Sequence, residues 1–336
     1  MLAWVEFLVC VALIGVSGVF LTRYGDALAD KTGLGGGWIG LILIATVTSL
    51  PELAAGVSAV TVANLPEIAV GDVVGSCVFN LLILALIDVL KRGDPLYASV
   101  GPEHVLAAGF VILLLGVAGA GLALGHAGMP LMVGPIGLPT LMLLPLYLVA
   151  MAVLHRYQRR NLATFTTEEP DAYPHLTLQQ VSLRYAAAAL VVIVSGIWLP
   201  FVTAGIAVQM GWHEGFAGTM LAAFATSLPE LVVTLAALRL GAVDMAVGNI
   251  FGSNLFNMVV LATDDLLYAP GPLLSAVSPV HLVSILFALM MTGTALVGLY
   301  YRSRQRLWRH GDWPSLLLIS AYVANGVLVF QLTSAA

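Results

Sequence analysis

Eleven residues of the segment Lys31–Leu53 recur in the same order 178 positions later. They are Gly33, Gly37, Gly40, Leu43, Ala45, Thr48, Ser49, Leu50, Pro51, Glu52 and Leu53, and the second copy closes on Thr226, Ser227, Leu228, Pro229, Glu230 and Leu231. A second run, "AVGDVVGSCVFN" (Ala69–Asn80), recurs as "AVGNIFGSNLFN" (Ala246–Asn257) at an offset of 177, and the match continues at Asp88/Asp265 and His104/His281. One extra residue in the turn between the two runs of the first copy explains the change of offset. The chain is one pattern written twice.

What lies between the copies restricts how they can be arranged. The 336 residues are 60% hydrophobic and 9% charged, with a mean hydropathy of +0.99. A soluble domain carries about 25% charged residues. The apolar stretches are long, unbroken and free of period-2 alternation, so the chain is an all-α membrane protein and not a barrel. Taking ~20 residues per crossing, ten segments qualify: 3–22, 37–62, 67–90, 103–124, 131–154, 182–207, 215–238, 243–266, 279–300 and 313–332. Cys10 and Cys77 both lie in apolar runs, which suggests neither a disulfide framework nor a metal–thiolate site. The net charge of -5 says less than the placement of the charges.

That placement orients the chain. No basic residue precedes the first segment and Arg23 follows it, the pattern of an anchor with its N-terminus outside and not of a cleaved signal peptide. With the N-terminus outside, the cytoplasmic connections hold Arg23 and Lys31; Lys91 and Arg92; Arg156, Arg159, Arg160 and Arg184; Arg239; and Arg302, Arg304, Arg306 and Arg309. These are all 13 Lys and Arg of the chain, as the positive-inside rule requires. Ten crossings also put the C-terminus outside.

The most polar segment divides the crossings five and five. The expected organisation is a first repeat over 1–155, a cytoplasmic linker over 156–180 and a second repeat over 181–336. Five is odd, so the second repeat enters the membrane upside down. The fold expected is ten transmembrane helices in two inverted-topology five-helix repeats, with a shared site near the midplane where Glu52 and Glu230 fall.

The repeated motif carries chemistry that an apolar helix does not need. Ala45, Thr48, Ser49 and Glu52 follow i, i+3, i+4, i+7 spacing and share one helix face, as do Ala223, Thr226, Ser227 and Glu230. Pro51 and Pro229 lack an N–H and crowd the carbonyls of Val47 and Ala225, which frees backbone oxygens beside the side chains. Irregular backbone at this depth is tolerated where it lines a buried or hydrated cavity. Ser76 and Asn80, and Ser253 and Asn257, are i, i+4 pairs that supply an opposing wall, with Gly75 and Gly252 permitting close helix approach. All these donors are oxygens. Calcium takes about 6–8 oxygen ligands, sodium shares the preference, and two carboxylates balance one divalent ion. Singly, each Ser or Thr reads equally as helix–helix glue, and Asn80 and Asn257 as interhelical hydrogen-bonders.

At these residues the chain resembles the cation/calcium exchanger superfamily, the sodium/calcium exchangers and their prokaryotic relatives. "TSLPEL" (Thr48–Leu53, Thr226–Leu231), "GDVVGSCVFN" (Gly71–Asn80) and "GNIFGSNLFN" (Gly248–Asn257) look like that family's two alpha-repeats. The resemblance implies a central calcium site at Glu52 and Glu230 with the carbonyls of Thr48 and Thr226. It implies flanking sodium sites at Ser49, Ser76, Ser227 and Ser253 with the carbonyls of Ala45 and Ala223. Asn80 and Asn257 would face the centre, and the first and sixth helices would slide past the other eight. It further implies residence in a prokaryotic inner membrane, Ca2+ and Na+ as the transported partners, and no cofactor.

Three departures leave the coupling ion open. Some family members have Asp at the position of Asn257; the first repeat has Gly71-Asp72 where "GN" is usual, and Gly75-Ser76-Cys77 where "GSN" is usual. Asp72, one turn outward of Ser76, is read as a cation attractor at the outer mouth or as a helix-start residue. Asp88 and Asp265 read as pairing or capping groups near helix ends, and His104 and His281 as interfacial packing more than proton sensing.

The expected function is a secondary active antiporter exchanging Ca2+ against Na+ by alternating access, without covalent chemistry. The nearest alternative is coupling to H+ or carriage of another divalent ion. A cation channel and an intramembrane hydrolase are the other classes, the latter lacking any Ser/His dyad or His-Glu-x-x-His motif at mid-membrane. Nothing points to nucleic acid.

Overall fold

The computed structural model describes residues 2–31, 45–134, 136–162, 173, 175–239, 241–302 and 311–334. Among the described residues the regular structure is helical apart from one short hairpin that pairs Met132 with Gly137 and Val133 with Ile136. The helices are α1 (Leu2–Lys31), α2 (Leu50–Ser58), α3 (Pro66–Leu90), α4 (Glu103–His126), α5 (Leu138–Leu162), α6 (Leu178–Met210), α7 (Glu214–Thr226), α8 (Leu228–Arg239), α9 (Val243–Leu267), α10 (Val280–Tyr301) and α11 (Trp313–Ser334). Among the described residues, eight of them are long and apolar enough to cross a membrane, or nine crossings if α7 and α8, bent by 44°, form one. The segment expected at 37–62 is described only from Ala45, where the apolar helix Leu50–Ala63 is shorter than a full span. Gly33, Gly37, Gly40 and Leu43 lie outside the described residues, as does the middle of the linker, 163–172.

Several boundaries differ from the sequence reading, among them those of α5, which spans Leu138–Leu162 instead of 131–154 and so enters the segment expected as linker. α1 continues to Lys31 instead of stopping at residue 22, and α6 spans Leu178–Met210 instead of 182–207. A capping box at Thr177, whose hydroxyl accepts from Gln180 N–H at 3.2 Å, starts α6 earlier than hydropathy indicates. Neither motif helix is continuous. A π turn at Ala59–Ala63 ends the first, and another at Gly218–Ala222 interrupts the second. Such turns are common at functional sites.

Related turns link each motif helix to the next. Asn64 (φ 53°) and Gly241 (φ 77°), 177 residues apart, are both left-handed, a conformation that Asn and Gly tolerate best. Leu65 N–H then donates to Ala59 O (2.8 Å) and Ala242 N–H to Ala237 O (2.9 Å), closing the same loop in both halves.

α3 and α9 form the centre. Their residues Val73, Val78, Leu84, Ile250, Leu255 and Leu261 belong to one buried cluster shared by both halves. α1 and α6 pack along each other around Phe7, Cys10, Ile14, Leu199 and Val202. Their other faces expose Leu2, Val5, Leu8, Leu190, Val194 and Ile197, apolar surface that suits lipid.

Asp88 and Asp265 cap. Asp88 accepts Leu96 N–H (3.3 Å), Asp312 N–H (2.9 Å) and the Ser315 hydroxyl (2.7 Å). Asp265 accepts the related Leu273 N–H, and Gly137 N–H at 3.2 Å. His104 and His281 do more than pack at the interface. His104 Nε2 lies 3.1 Å from Asp244 Oδ1, and His281 Nε2 lies 2.8 Å from Glu67 Oε2. Each histidine meets the carboxylate at the start of the opposite half's central helix, so the pairs are reciprocal.

Candidate cation site

Both motifs break at the serine that precedes Leu-Pro-Glu. Ser49 stands at the N-cap of α2, and Ser227 lies between the helical stretch 223–226 and α8. The backbone bonds across the breaks are Ser49 N–H to Ala45 O (3.1 Å) and Leu53 N–H to Ser49 O (3.2 Å), with Ser227 to Ala223 (3.1 Å) and Leu231 to Ser227 (3.2 Å) in the second half. Pro51 and Pro229 have no N–H to give the carbonyls of Val47 and Ala225, four residues back. The helical stretches before the breaks end in carbonyls, the negative end of the helix dipole, which favours cations.

Ser49 makes no capping bond of its own. Its hydroxyl crosses to the other half and donates to Glu230 Oε1 at 2.9 Å. Ser227 returns the contact, donating to Glu52 Oε1 at 3.1 Å. Ser253 adds a second donor to Glu230 Oε1 at 3.3 Å, and the Ser76 hydroxyl lies 2.9 Å from Ser227 Oγ. All six residues are 0% exposed.

The threonine hydroxyls also pair with related residues. Thr226 donates to Asp72 Oδ1 at 2.8 Å, and Thr48 Oγ1 lies 3.5 Å from Asn249 Oδ1, 177 positions from Asp72. Asp72 is therefore neither at the outer mouth nor at a helix start. It is 1% exposed, well inside α3, and bonded to the motif. Thr48 Oγ1 is also within 3.1 Å of Ala45 O, and Thr226 Oγ1 within 3.4 Å of Ala223 O. The Thr48 hydroxyl and the Ser49 N–H engage the Ala45 carbonyl, and the Ser227 N–H engages that of Ala223, the carbonyls expected to bind sodium.

The two asparagines are held by their amide nitrogens. Asn80 Nδ2 donates to Asn254 Oδ1 at 2.9 Å, while Asn254 Nδ2 reaches Cys77 O at 3.2 Å. Asn257 Nδ2 points to Cys77 Sγ at 3.7 Å. Among the described residues, the remaining oxygens, Asn80 Oδ1 and Asn257 Oδ1, accept no hydrogen bond, and neither do Glu52 Oε2 and Glu230 Oε2. Buried polar atoms nearly always have partners, so four exceptions at repeat-related positions call for a ligand. Their chemistry, two carboxylate and two amide oxygens, fits a hard cation. Asn249 and Asn254 escaped the sequence reading. The signal for Asn249 was its i, i+4 register with Ser253 and Asn257.

Close backbone approach makes the cluster compact. A Cβ on Gly75 would fall 2.8 Å from Ala223 Cβ, and one on Gly252 would fall 2.9 Å from Ala45 Cβ. The glycine of each central helix thus seats the alanine of the other half's motif.

Membrane-crossing helices around a buried, doubled set of oxygen donors define an ion-transporting membrane protein. The chain belongs to the sodium/calcium exchanger protein family, whose sequence profile matches residues 2–154 and 183–331. It is 28% identical over 258 residues to the inner membrane protein YrbG of Escherichia coli, a match covering 75% of this chain and 77% of that protein. Among solved structures, the H+/Ca2+ exchanger CAX is similar with a TM-score of 0.69 at 15% identity, covering 99% of this chain and 87% of that one. The sodium-calcium exchanger NCX_Mj is similar with a TM-score of 0.62 at 21% identity, covering 96% and 97%. Family membership places the chain among the calcium/cation antiporters, which are multi-pass integral membrane proteins.

Proposed function

We propose that the chain exchanges Ca2+ for Na+ by alternating access, with one calcium ion held between Glu52 and Glu230. The observation that carries this reading is the unpartnered set Glu52 Oε2, Glu230 Oε2, Asn80 Oδ1 and Asn257 Oδ1. The second heteroatom of each group is fixed by Ser227, Ser49, Asn254 or Cys77, which leaves these oxygens for a ligand. The carbonyls of Thr48 and Thr226 complete the calcium shell. Ser49, Ser76, Ser227 and Ser253, with the carbonyls of Ala45 and Ala223, take sodium once the threonine hydroxyls rotate away. Two carboxylates balance one Ca2+ or two Na+, so both ions use the same charges and coupling follows from competition.

α1 and α6 are the moving pair in this reading. They pack on each other, and each meets the other half's proline motif through a glycine. A Cβ on Gly196 of α6 would fall 3.1 Å from Pro51 O, and one on Gly18 of α1 would fall 2.5 Å from Pro229 Cγ. Smooth contacts of this kind permit sliding over the bound ion. The repeated motifs and the reciprocal hydrogen bonds favour ten crossings in two inverted repeats, joined by a linker over 156–180. The 13 basic residues favour an N-terminus outside a prokaryotic inner membrane.

Proton coupling is the second reading, favoured by the fold likeness to an H+/Ca2+ exchanger. The test is 45Ca2+ uptake into proteoliposomes under an imposed sodium gradient and, separately, a proton gradient. Sodium-driven uptake that saturates and needs the trans ion supports the proposal. Uptake driven only by protons selects the second reading, and flux indifferent to the trans ion indicates a channel.

A further inference from the structure

The central site leaves two acidic residues unused, and both lie toward one end of it. Asp264 on α9 is 0% exposed, and neither carboxylate oxygen has a hydrogen-bond partner among the described residues. Its carboxylate occupies the space beside Gly56 of α2, where a Cβ on Gly56 would overlap it. Asp72 is buried on α3, and its Oδ2 is also without a partner. Gly56 and Glu52 are i, i+4 on α2, so Asp264 lies one turn from the central carboxylate.

The opposite end is built from the related positions with different chemistry. Asn249 stands for Asp72, Thr234 for Gly56 and Ile87 for Asp264. Asn249 Nδ2 donates to Thr234 Oγ1 at 3.1 Å and lies 3.4 Å from Glu230 O, and Ile87 is buried. That end is neutral and satisfies its own hydrogen bonds. The Asp72 end has a glycine, two acids and three free oxygens. Oxygen atoms of this kind are the ligands of hard cations.

We infer that Asp72 and Asp264 hold a second hard cation, beside the central site and at the end that carries Glu67 and His281. The inference rests on the reading of Glu52 and Glu230 as the central site. Asp72 is linked to Glu52 through hydroxyls: Thr226 Oγ1 lies 2.8 Å from Asp72 Oδ1, Ser76 Oγ 3.4 Å from Thr226 Oγ1, Ser227 Oγ 2.9 Å from Ser76 Oγ, and Glu52 Oε1 3.1 Å from Ser227 Oγ.

The test counts bound ions on the full chain in detergent, by equilibrium binding of 45Ca2+ and separately of 22Na+. The wild type is expected to bind one more ion per chain than Asp264→Asn in one of the two titrations, which identifies the cation. Asp72→Asn, which retains an acceptor for Thr226, should lose the same ion, as should Asp264→Ile, which copies the opposite end. Thermal unfolding identifies any variant that fails to fold, and Asp72→Asn then carries the test. Equal counts in the wild type and the folded variants, for both ions, overturn the inference. Glu52→Gln separates the two readings: it should lose the central ion, and if it keeps the wild-type count the central-site reading fails instead.

Discussion

Ser49 donates its hydroxyl to Glu230 across 2.9 Å, and Ser227 donates to Glu52 across 3.1 Å. Each half of the molecule thus orients the other half's carboxylate. Neither half makes a site alone, and displacing one motif helix moves a donor away from the carboxylate it holds.

The two carboxylates are not equally supported. Glu230 Oε1 accepts from Ser49 and Ser253, whereas Glu52 Oε1 accepts from Ser227. A lost hydrogen bond to a charged group costs about 1.5–3 kcal/mol. Ser227→Ala should therefore reduce calcium transport about tenfold or more, and Ser49→Ala less. Ser49→Ala combined with Ser253→Ala should match Ser227→Ala. Initial uptake rates in proteoliposomes check the order.

Gly75→Ala and Gly252→Ala should differ in the same molecule. The added methyl at Gly75 meets the Thr219 carbonyl and Ala223 Cβ, whereas at Gly252 it meets Ala45 Cβ alone. Overpacking costs about 1–3 kcal/mol, and the Gly75 variant should fall at the upper end because a backbone atom cannot give way. Thermal unfolding of the purified variants measures the difference.

The reciprocal carboxylate–histidine pairs should couple unequally. The Glu67 side chain is 18% exposed and that of Asp244 is 57% exposed. Exposed ion pairs contribute about 0–1 kcal/mol, and burial increases the dependence of one partner on the other. A double-mutant cycle on stability should give a larger coupling for Glu67 with His281 than for Asp244 with His104.

Inverted repeats put related turns on opposite sides of the membrane. Asp94→Cys and Ala269→Cys place thiols in the turns after α3 and α9. Native Cys10 and Cys77 are buried and should contribute little background. A membrane-impermeant thiol reagent should label position 94 from the cytoplasmic face and position 269 from outside. Labelling of both from one face would contradict the inverted arrangement.

The sequence made the central cluster legible because each motif checks the other. Two copies of Thr-Ser-Leu-Pro-Glu with the same spacing single out the glutamates, and the structure links them through Ser49 and Ser227. What stayed hidden depends on contacts between the halves. Glu67 and His281 are 214 residues apart, and no local pattern announces the pair. Asp72 was misplaced because its depth depends on where α3 begins, at Pro66, and on Thr226 packing against it. Asp264 was invisible to repeat comparison because its counterpart, Ile87, is apolar.

The most direct measurement is 45Ca2+ uptake into sodium-loaded proteoliposomes by Glu52→Gln and Glu230→Gln, each beside the wild type. Removing one charge from a buried, mutually dependent set costs about 3–5 kcal/mol, so each variant should fall at least about a hundredfold. Uptake by either variant at the wild-type rate would contradict a calcium ion shared by these two side chains.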